Sequence, residues 1–238
     1  MLERLRKLFR RLMLWSLCLG LLFVVLSLLM VAPLRWVNPV TSMVIMERWW
    51  TGGDEFEFRR EWLSWDQIPV HAAMAVVTSE DQRFPTHRGI DFESIMQALQ
   101  ERERRGQLRG ASTITQQVAR NLYLWTGRSW VRKGLEAWFT LLLELTLPKY
   151  RILEIYLNIA EWGPNGVFGL EAAAQYHFNR PASQLTAYQS ALLAATLPSP
   201  ARYTPGQATA YMHNRARWII TQQRMLGGTA WLTPIEPQ

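Results

Sequence analysis

Cysteine is almost absent from this chain. The one residue, Cys18, falls inside a long apolar run, so whatever follows that run has no disulfides and is held by its core alone. No Cys/His zinc spacing occurs, and neither HExxH, a P-loop glycine pattern nor GxSxG is present. SxxK and KTG, which penicillin-sensitive acyl-serine enzymes need, are missing too. The sequence shows no internal repeat, no low-complexity segment and no series of alternating β-branched segments with hairpin turns. What remains is carboxylates with basic and amide companions, a set suited to sugar chemistry.

The apolar run is Leu12–Ala32, 21 residues without a charge and long enough to cross a bilayer as a helix. Residues 1–11 precede it, with Arg4, Arg6, Lys7, Arg10 and Arg11 against Glu3 alone. That flank predicts a cytoplasmic N-terminus, a single transmembrane anchor over 12–32 and export of everything after it. A cleaved signal peptide is the alternative, but its apolar core would be shorter, and no clear small-x-small site ends this run. Residues 1–32 carry five basic side chains and one acidic one, net +4 of the chain's +7, which leaves only +3 for the rest. The basic balance is therefore largely a membrane-orienting flank and no argument for nucleic acid. Five of the twelve tryptophans, Trp36, Trp49, Trp50, Trp62 and Trp65, cluster just after the anchor, at the membrane interface or in ordinary core.

Residues 33–66 read as a juxtamembrane connector, broken by Pro33, Pro39 and Gly52-Gly53, and 67–238 as the main domain. From Pro69 the pattern is mainly α. Pro69 suits the first position of a helix over 69–80, and Asp91 can cap one reaching about Arg104, before Gly106 and Gly110. Ser112 or Thr113 opens the next helix, with capping-box spacing from Thr113 to Gln116. Ser129 can cap a long helix to Leu147, stopped by Pro148, and further helices fit 149–161, 167–178, 185–196 and 206–226.

Three stretches carry candidate chemistry. Glu80 and Asp81 end the first helix, where the macrodipole disfavours negative charge, beside apolar Val76, Val77 and Phe84. A carboxylate there becomes a better proton acceptor, although a hydrated helix end is the bland alternative. His87 on its own reads as structural, and Gly89 serves the turn. The second stretch, GASTITQQVARN, begins with small hydroxyl residues at a helix start, whose free N–H groups suit an anion or a sugar. Gln116, Gln117, Arg120 and Asn121 form a polar stripe opposite Ile114, Val118 and Leu122; a plain capped amphipathic helix explains the caps, but less well the amides. In the third, Arg132 and Lys133 share a helix face with Glu136. As a surface cluster this contributes only about 0.2–0.5 kcal/mol per pair. The opposite face, with Trp130, Trp138, Phe139 and Leu141–Leu143, reads mostly as core, or as a surface pressed on the bilayer.

EDQRFPTHRGID, GASTITQQVARN, RKGLE followed by KYRILEIYLN, GVFGLEAAAQYHF and LLAATLPSPARYTP occur in that order, from about Ile68 to Pro205. In these five motifs the sequence resembles the peptidoglycan glycosyltransferases of family 51, in the monofunctional form of Gram-negative bacteria. The resemblance implies a lysozyme-like, all-helical glycosyltransferase domain in the periplasm, behind a single-pass anchor in the bacterial inner membrane. It implies polymerisation of lipid II into β-1,4 glycan strands by inversion, without transpeptidase activity. The partners it implies are lipid II, the growing lipid-linked glycan, the membrane and other cell-wall synthesis and division proteins. Glu80 is implied to be the base for the acceptor 4-hydroxyl. Glu136, with Arg120, Arg132 and Lys133, is implied to organise the pyrophosphate, with or without a divalent ion such as Mg or Mn. Asp81, Phe84, His87, Ser112, Thr113, Gln116, Gln117 and Asn121 complete the implied substrate site. Two positions depart from the family pattern: Arg120 stands where Lys is usual, and Gln189 where Glu is. The rival readings are a lysozyme-like lytic transglycosylase or hydrolase, and a non-enzymatic scaffold that binds lipid II.

Overall fold

The computed structural model describes residues 2–53, 56–105, 112–127 and 129–237. Gly106 and Gly110, read above as the break after the Asp91-capped helix, lie outside the described residues, as does Arg128. The described residues form ten α-helices and no strand: α1 Leu2–Val31, α2 Met43–Thr51, α3 Val70–Glu80, α4 Phe92–Arg105, α5 Ile114–Tyr123, α6 Trp130–Thr146, α7 Lys149–Ile159, α8 Leu170–Phe178, α9 Ala187–Ala194 and α10 Ala210–Met225. The expectation of a mainly α domain behind one long apolar helix is met.

α7 runs through the middle of the body, buried from Arg151 to Ile159. Each fully buried Ile or Leu there contributes about 1.5–3 kcal/mol of apolar burial. α5 packs against α6 and α7, while α3 packs against α9 and α10. Ala72, Ala73 and Ala75 on α3, and Ala191 and Ala194 on α9, are all buried. Side chains this small let the two helix axes approach closely.

Local signals set most helix ends. The Asp91 carboxylate accepts from Ser94 N–H at 3.0 Å, Thr113 and Gln116 close a full capping box, and Ser129 accepts from Arg132 N–H at 3.1 Å. A second box at Thr186 is completed by Gln189, whose Oε1 accepts from Thr186 N–H at 3.0 Å, a role that either Gln or Glu fills. Pro69 stands at the N-cap of α3, not at its first helical position. α8 begins at Leu170, later than the pattern predicts, because Val167 and Phe168 pair with Arg59 and Glu161 in isolated β-bridges. Gly169 then turns the chain with φ +83, and a Cβ there would lie 3.1 Å from Asn158 O. α10 begins at Ala210, capped by Thr209 after a 3-10 turn over Pro205–Gln207.

The connector contains α2 and is bonded to the body. Arg151 donates to Leu34 O at 2.8 Å, Val37 O at 3.1 Å and Asn38 Oδ1 at 2.8 Å. The Asn158 side chain bonds both backbone groups of Leu63 at 2.8 Å. Its tryptophans divide: Trp36, Trp49 and Trp50 are exposed, whereas Trp62 and Trp65 pack on the core. α1 is long and apolar enough to cross a membrane, and its buried residues, Ser27 and Val31, lie on its last turns. There Phe23 meets Trp138 of α6, and Tyr123 of α5 donates to Met30 O at 3.2 Å. On α6 itself Phe139, Leu142 and Leu143 are core, while Trp130 and Leu141 are exposed.

Candidate active site

α3 ends where Asp81 leaves helical geometry while its N–H still closes the last turn on Val77 O. The Asp81 carboxylate turns inward. It accepts from His87 Nε2 at 2.9 and 3.0 Å and from Ile114 N–H, at the start of α5, at 2.9 Å. His87 Nδ1 accepts from Gly89 N–H at 3.1 Å, which places the ring proton on Nε2, facing Asp81. Thr113 Oγ1 donates to Gly89 O at 2.5 Å. Gly89 has φ +84, and a Cβ would lie 2.8 Å from Thr140 Cγ2, so no other residue fits this turn. At the α5 N-terminus, expected to suit an anion or a sugar, the protein's own Asp81 takes the Ile114 N–H, while Ser112 and Thr113 line the cavity that Glu80 faces.

Phe84 and His87 lie behind the acid pair. Phe84 is fully buried, with Lys149 Nζ 4.4 Å above its ring. Lys149 donates to Glu144 Oε1 at 2.8 Å, and Thr115 donates to the same oxygen at 2.5 Å.

Glu80 faces the other way, into a cavity of about 490 Å³ lined also by Ser112, Thr113, Gln117, Arg120 and Arg215. Ser79 Oγ donates to it at 3.2 Å and Gln117 Nε2 at 3.1 Å. Burial pushes the Glu80 carboxyl above its ordinary range; those two hydrogen bonds and Arg215 oppose the shift, and Asp81 adds to it. The net direction suits a base that must collect a proton near neutrality. Gln117 cannot flip without loss, because Tyr156 OH donates to its Oε1 at 3.0 Å and so keeps the amide NH₂ on Glu80.

A second cavity of about 650 Å³ shares Gln117, Arg120 and Leu197 with the first. Arg132, Asn121, Tyr156, Arg48 and Glu161 also line it. Beneath Arg132, Glu136 is only 2% exposed, against the surface cluster expected from spacing. α6 turns that face inward, so Glu136 accepts from Arg132 Nη1 at 2.8 Å and from Lys133 Nζ. Glu136 lines neither cavity; it holds two cations, of which Arg132 reaches the second one. Gln116 turns back to Thr113 N–H at 3.0 Å and is a cap, whereas Asn121 accepts from Arg120 Nε at 3.5 Å.

Among the cavity residues that escaped the sequence reading are Arg48, Tyr156, Glu161 and Arg215. Tyr156 stands within KYRILEIYLN, but only its contact with Gln117 gives it a role. Arg48 accompanies Glu161, 113 positions away, at 2.9 Å. Local periodicity carries no signal for such a pair.

Among the described residues no group of three or more His, Cys, Asp or Glu side chains is placed to hold a metal ion. Glu136 and Glu161, the acids nearest the cations, are already taken by Arg132, Lys133 and Arg48. The described residues thus offer no cage of their own, and a divalent ion here would depend on phosphate oxygens and water for most of its ligands.

A helical body with a carboxylate opening into one cavity and cations in the next has the makings of a sugar-transfer catalyst that handles an anionic leaving group. Residues 50–224 match the family described as Transglycosylase, and the chain belongs to that family. It is 51% identical to the biosynthetic peptidoglycan transglycosylase of Stutzerimonas stutzeri over 217 residues, covering 90% of this chain and 89% of that protein. It is 50% identical to the protein of the same name from Pseudomonas aeruginosa over 238 residues, covering 98% and 99%. The Pseudomonas putida protein of that name is 49% identical over 217 residues, covering 90% and 92%.

Proposed function

We propose that this chain is a membrane-anchored peptidoglycan glycosyltransferase that polymerises lipid II into β-1,4-linked glycan strands and releases undecaprenyl pyrophosphate. Membership of the family, relatives of that name along nearly the whole chain and the apolar α1 support the activity and the membrane association. We further propose an inner-membrane location with the N-terminus cytoplasmic and the catalytic domain periplasmic, from the basic residues in the first turns of α1, ahead of its apolar run. Other cell-wall synthesis and division proteins are its proposed neighbours.

In the proposed reaction Glu80 takes the proton from the acceptor's 4-hydroxyl as that oxygen attacks the donor's anomeric carbon. The bond from that carbon to the pyrophosphate oxygen breaks, and the anomeric centre inverts. Arg120 and Arg132, with Lys133 beside them, receive the charge that develops on the leaving group, and Glu136 fixes the last two. One observation carries this assignment: Gln117 touches Glu80 while lining both cavities, so the cavity of the proposed base adjoins the one lined by Arg120 and Arg132. The test is to give the full-length protein lipid II or finished sacculi. Strand growth from lipid II with no muropeptides from sacculi is the expected outcome; muropeptide release without polymer growth would refute the assignment in favour of a lytic enzyme.

A further inference from the structure

The second cavity places an acid where an anionic substrate group is expected. Its lining includes Glu47 and Glu161 as well as Arg48, Arg120 and Arg132. Glu47 is held by Thr126, accepting from its N–H at 3.0 Å and from its hydroxyl. Glu161 is fixed: its backbone pairs with Phe168, and its side chain is only 11% exposed. An uncompensated carboxylate there would repel a pyrophosphate through a medium poorer in screening than water. Arg48 supplies the compensation, donating from Nε at 3.1 Å and from Nη2 at 2.9 Å to the same Glu161 oxygen. It comes from α2, in the connector, whose first turn is capped by Ser42 and whose Glu47 is tied to Thr126.

We propose that Arg48 is a positioning residue that masks Glu161 from the anionic part of the lipid-linked substrate, so that α2 completes the second cavity electrostatically. This rests on the reading of that cavity as the pyrophosphate side. The obvious rival is that Arg48 and Glu161 merely tie α2 to the body. The two ideas differ in sign. If the pair is only a tie, losing either partner or both does the same damage. If Arg48 masks a charge, removing Glu161 repairs the loss of Arg48.

The experiment compares the full-length wild type with Arg48→Ala, Glu161→Gln and the double variant, reading KM and kcat for lipid II and the Kd for undecaprenyl pyrophosphate in one detergent. Arg48→Ala should raise KM and Kd about tenfold with kcat within about twofold, as expected when one like charge faces the ligand. Glu161→Gln should lower both constants about two- to threefold, because the released guanidinium joins the other cations. The double variant should return to within about threefold of wild type. A double variant as impaired as Arg48→Ala, or a Glu161→Gln variant as impaired, overturns the proposal in favour of a tie. A wild type that binds undecaprenyl pyrophosphate but builds no glycan would sink the proposed function, while the binding cycle still decides the role of Arg48.

Discussion

Glu80 and Glu136 are carboxylates enclosed by one helical body, and their surroundings are opposite. Glu136 has a cation on each oxygen, Arg132 on one and Lys133 on the other. Glu80 has neutral donors, Ser79 and Gln117, while burial and the neighbouring Asp81 work against its charge. A satisfied carboxylate makes a good strut and a poor base. One that is desolvated and only partly compensated costs the fold something and has reason to take a proton. The contrast supports the proposed division of work, with Glu80 for proton transfer and Glu136 for holding cations in place.

The sharpest way to break the comparison is Glu80→Gln. Loss of a general base predicts a fall in lipid II polymerisation of at least about a hundredfold. Stability should move the other way. Because the folded-state pKa is raised, the native state holds more protons than the unfolded one between the ordinary Glu pKa and the raised value. The stability of the wild type therefore falls as pH rises through that window and stays lower above it. The neutral amide escapes this loss, so Glu80→Gln should melt no lower than wild type at pH 7, and higher if the shift is large. A melting temperature clearly below wild type would contradict the picture of Glu80 as an under-compensated charge.

Glu136→Gln should show the reverse pairing of effects. Removing one member of a fully buried ion pair costs about 3–5 kcal/mol. Lys133, whose side chain is 45% exposed, can recover much of its hydration, so the expected loss is about 2 kcal/mol. Arg132 then loses its fixed position in the second cavity, and kcat/KM should fall about tenfold. Thermal melting beside turnover checks both. If Glu136→Gln melts like wild type, the strut reading fails.

The same two residues show how far the sequence could be read. Several short-range devices were legible: Asp91, Thr113 with Gln116 and Ser129 announce helix starts within four residues of themselves, and they cap in the structure. The spacing of Arg132, Lys133 and Glu136 was legible too, but not the burial that turns a weak surface cluster into an enclosed one. Burial is settled by which face of α6 meets the body, and periodicity cannot rank one polar stripe against another. Gln116 and Gln117 are adjacent amides of equal propensity. One closes a cap and the other reaches Glu80, a difference created by a contact 37 positions away. Arg48, in a stretch read as connector, meets Glu161 only after folding brings α2 across the end of α7.

Gln117 offers the smallest and most specific test. Its Nε2 hydrogen bond favours the ionised form of Glu80, so it holds the pKa lower than burial alone would. Gln117→Leu removes that donor while keeping volume and excluding water. The Glu80 pKa should then rise further, and the acid limb of kcat/KM, which reports the base in the free enzyme, should move to higher pH. Tyr156→Phe should give a smaller shift of the same sign, because without the Tyr156 hydroxyl the amide can flip and present its oxygen to Glu80. A limb that stays put in both variants would mean that another group sets the acid side of the profile. A limb that moves to lower pH would mean that the amide had been stabilising the protonated acid, and Glu80 would then be poised as an acid rather than as a base.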